Sequence, residues 1–166
     1  MKTLVVGLGN PILGDDGIGW KVAEEIGKQL PENDHVDIEC LSLGGIGLME
    51  HLVGYDQAII VDAFEMDAPV GSISVLKLSQ LPNYSAFHIT STHDTSLQTA
   101  MQLGREMGAH LPEDVMIVGV ATEHIHDFSE DLSPPVARVV PCVVSIVLDL
   151  LREISMEKER HGHPCR

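Results

Sequence analysis

Short apolar runs alternate along the chain with stretches in which apolar residues recur every three or four positions. The runs at 3–7, 58–62 and 115–120 are typical of buried strands. The alternating pattern at 36–43 predicts another strand, and residues 72–78 predict a fifth. The sequence therefore predicts five strands, most of them separated by helical patterns.

Four helical patterns separate or follow these strands. The last one is long, begins at Pro134 and Pro135, and contains Pro141, which predicts a kink or a later start. The apolar positions of the four patterns are Ile18, Val22, Ile26 and Leu30; Leu48–Val53; Leu97, Ala100, Met101 and Gly104; and Val136, Val140, Val143, Val147, Leu151 and Ile154.

The order β-α-β-α-β-β-α-β-α predicts the α/β class. We expect a single-domain three-layer sandwich, in which a mostly parallel, twisted sheet of about five strands carries helices on both faces. The strand at 72–78 follows its predecessor too closely for a parallel crossover, which favours an antiparallel member. Residues 1–155 are predicted to form the domain, and the polar, aperiodic residues 156–166 a disordered tail.

The charge and the apolar content of the chain exclude some classes of function. The chain has 166 residues, 44% of them hydrophobic, and a formal net charge of −15. This charge has the wrong sign for binding a phosphate backbone. The sequence shows no apolar run near the ~18 residues of a spanning helix, and its short apolar start is unlike a signal peptide. We therefore expect a cytoplasmic protein that binds neither nucleic acid nor membrane.

Three cysteines are scattered along the chain, at Cys40, Cys142 and Cys165. They form no Cys-x-x-Cys spacing, which argues against a disulfide framework and against a cysteine zinc site. Cys40 is predicted to pack in the core. His161, His163 and Cys165 could bind a metal, but we interpret them as part of a frayed end.

Two acids and a histidine come together if the predicted strands form a parallel sheet. Asp15 and Asp16 follow the first strand, Asp62 ends the third, and His93 lies in the loop before the helix at 95. Ligands of such sheets bind at the carboxyl edge, and two carboxylates with one imidazole suit a divalent metal such as Ni, Zn, Mn or Fe. Each residue also has an ordinary structural interpretation, because the acids can cap a helix or end a strand.

Other motifs carry less information. A second polar cluster after the last strand, which holds Glu123, His124, His126 and Asp127, is a further candidate for lining the site. The glycine spacing after the first strand misses the dinucleotide fingerprint. The sequence also lacks a Gly-x-Ser-x-Gly elbow and a phosphate-binding loop. We therefore expect no organic cofactor.

The sequence resembles the hydrogenase maturation endopeptidases. The resemblance begins with Leu-Val-Val-Gly-Leu-Gly-Asn-Pro-Ile-Leu-Gly-Asp-Asp-Gly-Ile-Gly at 4–19. Further matching segments lie at 44–52, 59–63, 91–97 and 118–120. One segment departs from the family pattern: after the last strand Ala-Thr-Glu-His stands where a Pro-Glu pair is common, and Glu123 keeps only the acid.

The resemblance implies an endopeptidase that removes the C-terminal extension of a nickel-iron hydrogenase large-subunit precursor. The family's metal-site residues correspond to Asp16, Asp62 and His93, which the resemblance thus assigns to both catalysis and metal binding. The nickel is implied to be already bound in the precursor, so that it arrives with the substrate. We expect a monomer that holds little metal of its own, because three ligands with open positions suit transient capture.

Two other functions stay open. A non-enzymatic assembly chaperone that binds nickel or the precursor would use the same three residues. Peptidyl-tRNA hydrolases also begin with a strand and Gly-Leu-Gly-Asn-Pro, but Asp15-Asp16-Gly17 replaces their Thr-Arg-His-Asn-like segment. The net charge of −15 also opposes binding of tRNA.

Overall fold

Five strands and four α-helices form the part of the chain that the computed structural model describes, namely residues 1–30, 35–81, 84, 95–123 and 127–161. The strands are β1 (Thr3–Leu8), β2 (Val36–Leu41), β3 (Gln57–Phe64), β4 (Ile73–Lys77) and β5 (Asp114–Ala121). The helices are α1 (Ile18–Gln29), α2 (Gly45–Leu52), α3 (Leu97–Glu106) and α4 (Pro134–His161). Their order confirms the predicted α/β class.

The five strands form one sheet in the order β2-β1-β3-β5-β4. All neighbours are parallel except β4 and β5, which are antiparallel as the short connection predicted. Gly7 pairs with Val61, and Asp62 pairs with Gly119. Asp62 therefore lies one step beyond the level of Gly7, near the carboxyl edge of the sheet, where β1 ends. The prediction that Asp62 ends its strand is wrong by two residues, since β3 continues to Phe64.

Helices cover both faces of the sheet, which confirms the three-layer arrangement. Side chains alternate between the faces along each strand, so that Leu4 and Val6 contribute to one core cluster and Val5 to the other. The first cluster contains the apolar faces of α2 and α3. The second contains those of α1 and α4. Burial of these apolar faces holds the layers together.

Strand β2 lies at the edge of the sheet, and its six residues are all half-buried. The prediction that Cys40 packs in the core is therefore wrong. Its thiol lies 4.0 Å from the carbonyl oxygen of Trp20, and partial burial raises the pKa of this thiol. Cys142 is exposed on α4.

Helix α4 is longer than the sequence predicted. It continues through His161, so residues 156–161 are helical where a disordered tail was expected. Met, Glu, Lys and Arg dominate this stretch, and these residues favour helix even without apolar anchors. Pro141 lies inside the helix, which begins at Pro134 as the sequence suggested. His163 and Cys165 lie outside the described residues.

The same helix revises the expectation of no membrane-spanning segment. Among the described residues, α4 is long and apolar enough over 134–157 to cross a membrane by length and composition. A helix that packs a wide apolar face against a sheet also has a high mean hydropathy, as a membrane-spanning helix does. Val136, Val143 and Val147 of α4 are fully buried in the second core cluster.

Candidate active site

Two buried carboxylates, Asp16 and Asp62, meet at the carboxyl edge of the sheet. Asp62 is the sixth residue of β3, and Asp16 belongs to the 3-10 turn Gly14–Gly17 that precedes α1. Neither residue is exposed to solvent. Burial raises the pKa of Asp62, and the charge of Asp16 adds to this effect, as expected for two acids that share a site. The structure thus brings together the two acids that the sequence had placed at this edge.

Close backbone packing holds the turn against the strands. A side-chain Cβ at Gly19 would lie 2.3 Å from the carbonyl oxygen of Leu8 and 2.5 Å from that of Val61. At Gly7 it would lie 2.2 Å from the carbonyl oxygen of Gly19. Only glycine fits at such distances. The first turn of α1 therefore lies directly against β1 and β3, and this contact brings Asp16 to Asp62.

The loop after β1 also fixes the side chain of Asp16. Its Oδ2 accepts a hydrogen bond of 2.7 Å from the backbone N–H of Asn10. Gly9 has a φ of 134°, and a Cβ there would lie 1.9 Å from the carbonyl oxygen of Asp16. The loop consequently folds back on the turn and requires glycine at this position.

Two donors from the described part of the chain contact the carboxylate of Asp62, one at each oxygen. The N–H of Ala63 donates to Oδ1 at 2.9 Å, and the hydroxyl of Tyr84 donates to Oδ2 at 2.7 Å. Burial outweighs these two donors, and together with the charge of Asp16 it raises the pKa of Asp62 to about 8. At neutral pH Asp62 therefore carries a proton that a bound cation would replace.

Asp15 makes different contacts from Asp16. Its Oδ1 accepts from the backbone N–H of Ser133 at 2.6 Å, and its Oδ2 accepts from the Ser133 hydroxyl at 2.8 Å. Asp15 thereby ties the loop after β1 to the start of α4. The N-cap residue of α1 is Gly17, and no side chain of the described residues caps this end of the helix. The interpretation of Asp15 or Asp16 as the cap of α1 is therefore wrong.

The third predicted residue, His93, lies outside the described residues, as do His124 and His126. Glu123 and Asp127, on either side of the latter two, are exposed. Within the described ranges, no group of three or more His, Cys, Asp or Glu side chains is placed to hold a metal ion. The described part of the candidate site is therefore the pair of acids and the groups that hold it.

Tyr84, the hydrogen-bond donor to Asp62, was not among the predicted site residues. It lies 22 positions after Asp62, in the polar stretch between the strand predicted at 72–78 and the helix predicted at 95. Its side chain is almost fully buried beside Phe64. A large aromatic residue in a polar loop was the one signal that could have identified it, because such a residue often packs back onto the core.

The chain is thus an α/β sandwich with two buried carboxylates at the carboxyl edge of its sheet, the edge at which sheets of this kind bind their ligands. Known proteins share this fold. The structure of the hydrogenase maturating endopeptidase HybD from Escherichia coli matches with a TM-score of 0.77 and 28% identity, over 92% of this chain and 93% of that one.

Sequence comparison gives the same result. The hydrogenase 2 maturation protease of Escherichia coli is 29% identical over 159 residues, 95% of this chain and 94% of that protein. The hydrogenase expression/formation protein HupD of Rhizobium leguminosarum is 26% identical over 151 residues, 91% of this chain and 74% of that protein. The hydrogenase maturation protease family matches residues 20–150. The chain belongs to this family, which confirms the resemblance and makes the protein a protease of hydrogenase maturation.

Proposed function

We propose that the protein cleaves the C-terminal extension from a nickel-iron hydrogenase large-subunit precursor and recognises nickel already bound in that precursor. Membership in the hydrogenase maturation protease family supports the class of reaction and the kind of partner. The observation that carries the nickel recognition is the buried pair Asp16 and Asp62. We also take the enzyme to be a cytoplasmic monomer without an organic cofactor.

In this proposal Asp16, Asp62 and His93 bind the nickel of the precursor. Two ionised carboxylates repel each other in a buried site, and a divalent cation removes this repulsion. A pair of carboxylates with one imidazole leaves coordination positions for ligands that the precursor itself supplies. The metal is thus part of the substrate, and it docks the precursor at the carboxyl edge of the sheet.

Docking through nickel also explains how a peptidase could act at one bond only. Hydrolysis adds water across the peptide bond and releases a new carboxylate and a new amine. A metal held beside the scissile bond polarises its carbonyl group or activates the attacking water. A precursor without nickel would lack this point of attachment and would remain uncut.

The test is cleavage of nickel-loaded and nickel-free precursor, followed by intact mass. We expect one C-terminal cut with the nickel-loaded precursor. The rate of this cleavage should fall by a factor of about 100 or more in Asp16→Asn and in Asp62→Asn. Asp15→Asn is the matched control, because it changes the adjacent acid that contacts Ser133 instead.

Three outcomes would contradict the proposal. Equal cleavage of both precursors would show that the protein does not recognise nickel. Full activity of Asp16→Asn would show that Asp16 does not bind the nickel of the precursor. Stable binding of the nickel-loaded precursor without any cut would indicate the assembly chaperone instead.

A further inference from the structure

Tyr84 connects the buried acid pair to the start of α3. Its hydroxyl donates to Oδ2 of Asp62 at 2.7 Å. Its carbonyl oxygen accepts from the N–H of Leu97 at 2.9 Å, and its own N–H donates to Oε1 of Gln98 at 2.9 Å. One residue therefore contacts both the acid on β3 and the first turn of α3.

Burial, aromatic packing and hydrogen bonds anchor Tyr84 on several sides. It is 2% exposed, and its ring centroid lies 5.8 Å from that of Phe64 in the first core cluster. The side chain of Gln98, which accepts from the N–H of Tyr84, also donates to the carbonyl oxygen of Leu81 at 2.8 Å. Hydrogen bonds to backbone and side chain, with aromatic packing, leave the phenol hydroxyl little freedom.

This arrangement bears on Asp62, one of the three proposed ligands of the nickel. Tyr84 fixes one oxygen of Asp62, while Ala63 fixes the other. A carboxylate held at both oxygens is oriented before any cation arrives, which lowers the ordering cost of binding.

We propose that Tyr84 is a positioning residue of the candidate site, whose hydroxyl orients the carboxylate of Asp62 toward the nickel carried by the precursor. The inference rests on the proposed function and adds to it a residue outside the three ligands. Residues that orient a metal ligand contribute about 10–100-fold to affinity or activity. Tyr84 acts through Asp62 and needs no contact with the substrate.

The chain offers a matched control. Tyr55 donates its hydroxyl to Oδ2 of Asp37, also at 2.7 Å. Asp37 pairs with Leu4 near the start of β1, so this second tyrosine–aspartate bond lies toward the amino edge of the sheet, away from the site. Tyr84→Phe and Tyr55→Phe therefore remove the same chemical group and the same kind of hydrogen bond at opposite ends of the strands.

The experiment measures the dissociation constants of nickel-loaded and nickel-free precursor for each variant, with kcat/KM for cleavage. We expect Tyr84→Phe to weaken binding of the nickel-loaded precursor and to lower its kcat/KM about 10–100-fold. Binding of the nickel-free precursor should stay within about twofold, because the mutation alters only the orientation of a metal ligand. Tyr55→Phe should change neither value, and thermal unfolding by circular dichroism checks that both variants are folded.

The same substitution in the Asp62→Asn variant distinguishes a positioning role of Tyr84 from a role in packing alone. If Tyr84 acts through Asp62, then adding Tyr84→Phe to Asp62→Asn should have no further effect on binding of the nickel-loaded precursor. Equal weakening of both precursors, or an undiminished effect of Tyr84→Phe in the Asp62→Asn background, would overturn the inference while leaving the proposed function intact. If the wild-type protein fails to distinguish the two precursors, the proposed function itself is wrong, and the inference falls with it.

Discussion

Adjacent acids in this chain differ in role because of their partners alone. Asp15 and Asp16 are chemically identical, and both are fully buried in the same turn. Both carboxylate oxygens of Asp15 accept hydrogen bonds from Ser133. Asp16 accepts a hydrogen bond from the N–H of Asn10, and its charge helps to raise the pKa of Asp62. Asp15 therefore ties two parts of the fold together, whereas Asp16 lies beside a second buried acid, as the proposed nickel site requires.

The raised pKa of Asp62 predicts a pH dependence of stability. Its pKa is 3.8 when unperturbed and about 8 in the folded protein, so between these values the folded state binds the extra proton. The free energy of unfolding should therefore fall, on the order of a few kcal/mol, as the pH rises from about 4 to about 8. Asp62→Asn, which stays neutral, should be more stable than wild type at pH 8 and similar to it at pH 5.

Urea unfolding at several pH values measures this difference. Asp37→Asn is the control, because the hydrogen bond from Lys2 lowers the pKa of Asp37 and any pH effect of that acid falls in the acidic range. Parallel curves for wild type and Asp62→Asn from pH 5 to pH 9 would show that Asp62 is already ionised at neutral pH.

At the scale of elements, the contact of α1 with the sheet decides whether a site forms. The first turn of α1 lies so close to β1 and β3 that Gly7 and Gly19 leave no room for a Cβ atom. The same contact places the preceding turn, and with it Asp16, beside the end of β3. The position of Asp16 in the candidate site thus depends on how closely α1 packs against the sheet.

Gly19→Ala should therefore lower the free energy of unfolding by about 2 kcal/mol or more, because the new methyl group meets two backbone carbonyl oxygens. It should also lower cleavage of the precursor, since α1 must move away from Asp62. Gly27→Ala on the same helix is the control, because its Cβ meets only Ile38, at 3.9 Å. That change should stabilise the protein by about 0.5–1 kcal/mol.

Chemical denaturation of both variants tests this prediction. Equal stability of Gly19→Ala and Gly27→Ala would contradict the close approach of α1 to the strands.

At the scale of the whole molecule, apolar side chains remain exposed beside the candidate site. Phe128, in the loop after β5, is 87% exposed. Its neighbour Ser129 donates from its N–H to the carbonyl oxygen of Ile12, itself 46% exposed in the loop after β1. Backbone hydrogen bonds thus hold two apolar side chains in solvent near the edge that carries Asp16. We expect these two side chains to contact a protein bound at this edge.

Phe128→Ala should raise the KM for the precursor about tenfold with little change in stability, because a protein substrate must contact the loops around the site. Met107→Ala is the control: Met107 is 79% exposed but follows the far end of α3. Steady-state cleavage with intact-mass detection gives both KM values. The same KM for the two variants would place the substrate contact elsewhere.

The sequence alone determined the elements and the edge at which the site lies. A short apolar run identified β3 and therefore placed Asp62 where a parallel sheet presents its ligands. Such features follow from local patterns, since a strand buried on both faces leaves an apolar run, and a helix buried on one face leaves a period, that is visible in the sequence.

Only the tertiary structure decided which groups surround the acids. The role of Asp15 depended on Ser133, 118 positions away, and the donor to Asp62 came from Tyr84 in a stretch without periodicity. Hydrogen bonds between distant residues leave no spacing in the sequence. The raised pKa of Asp62 likewise arises from burial and from the charge of Asp16, two conditions that exist only after the chain has folded.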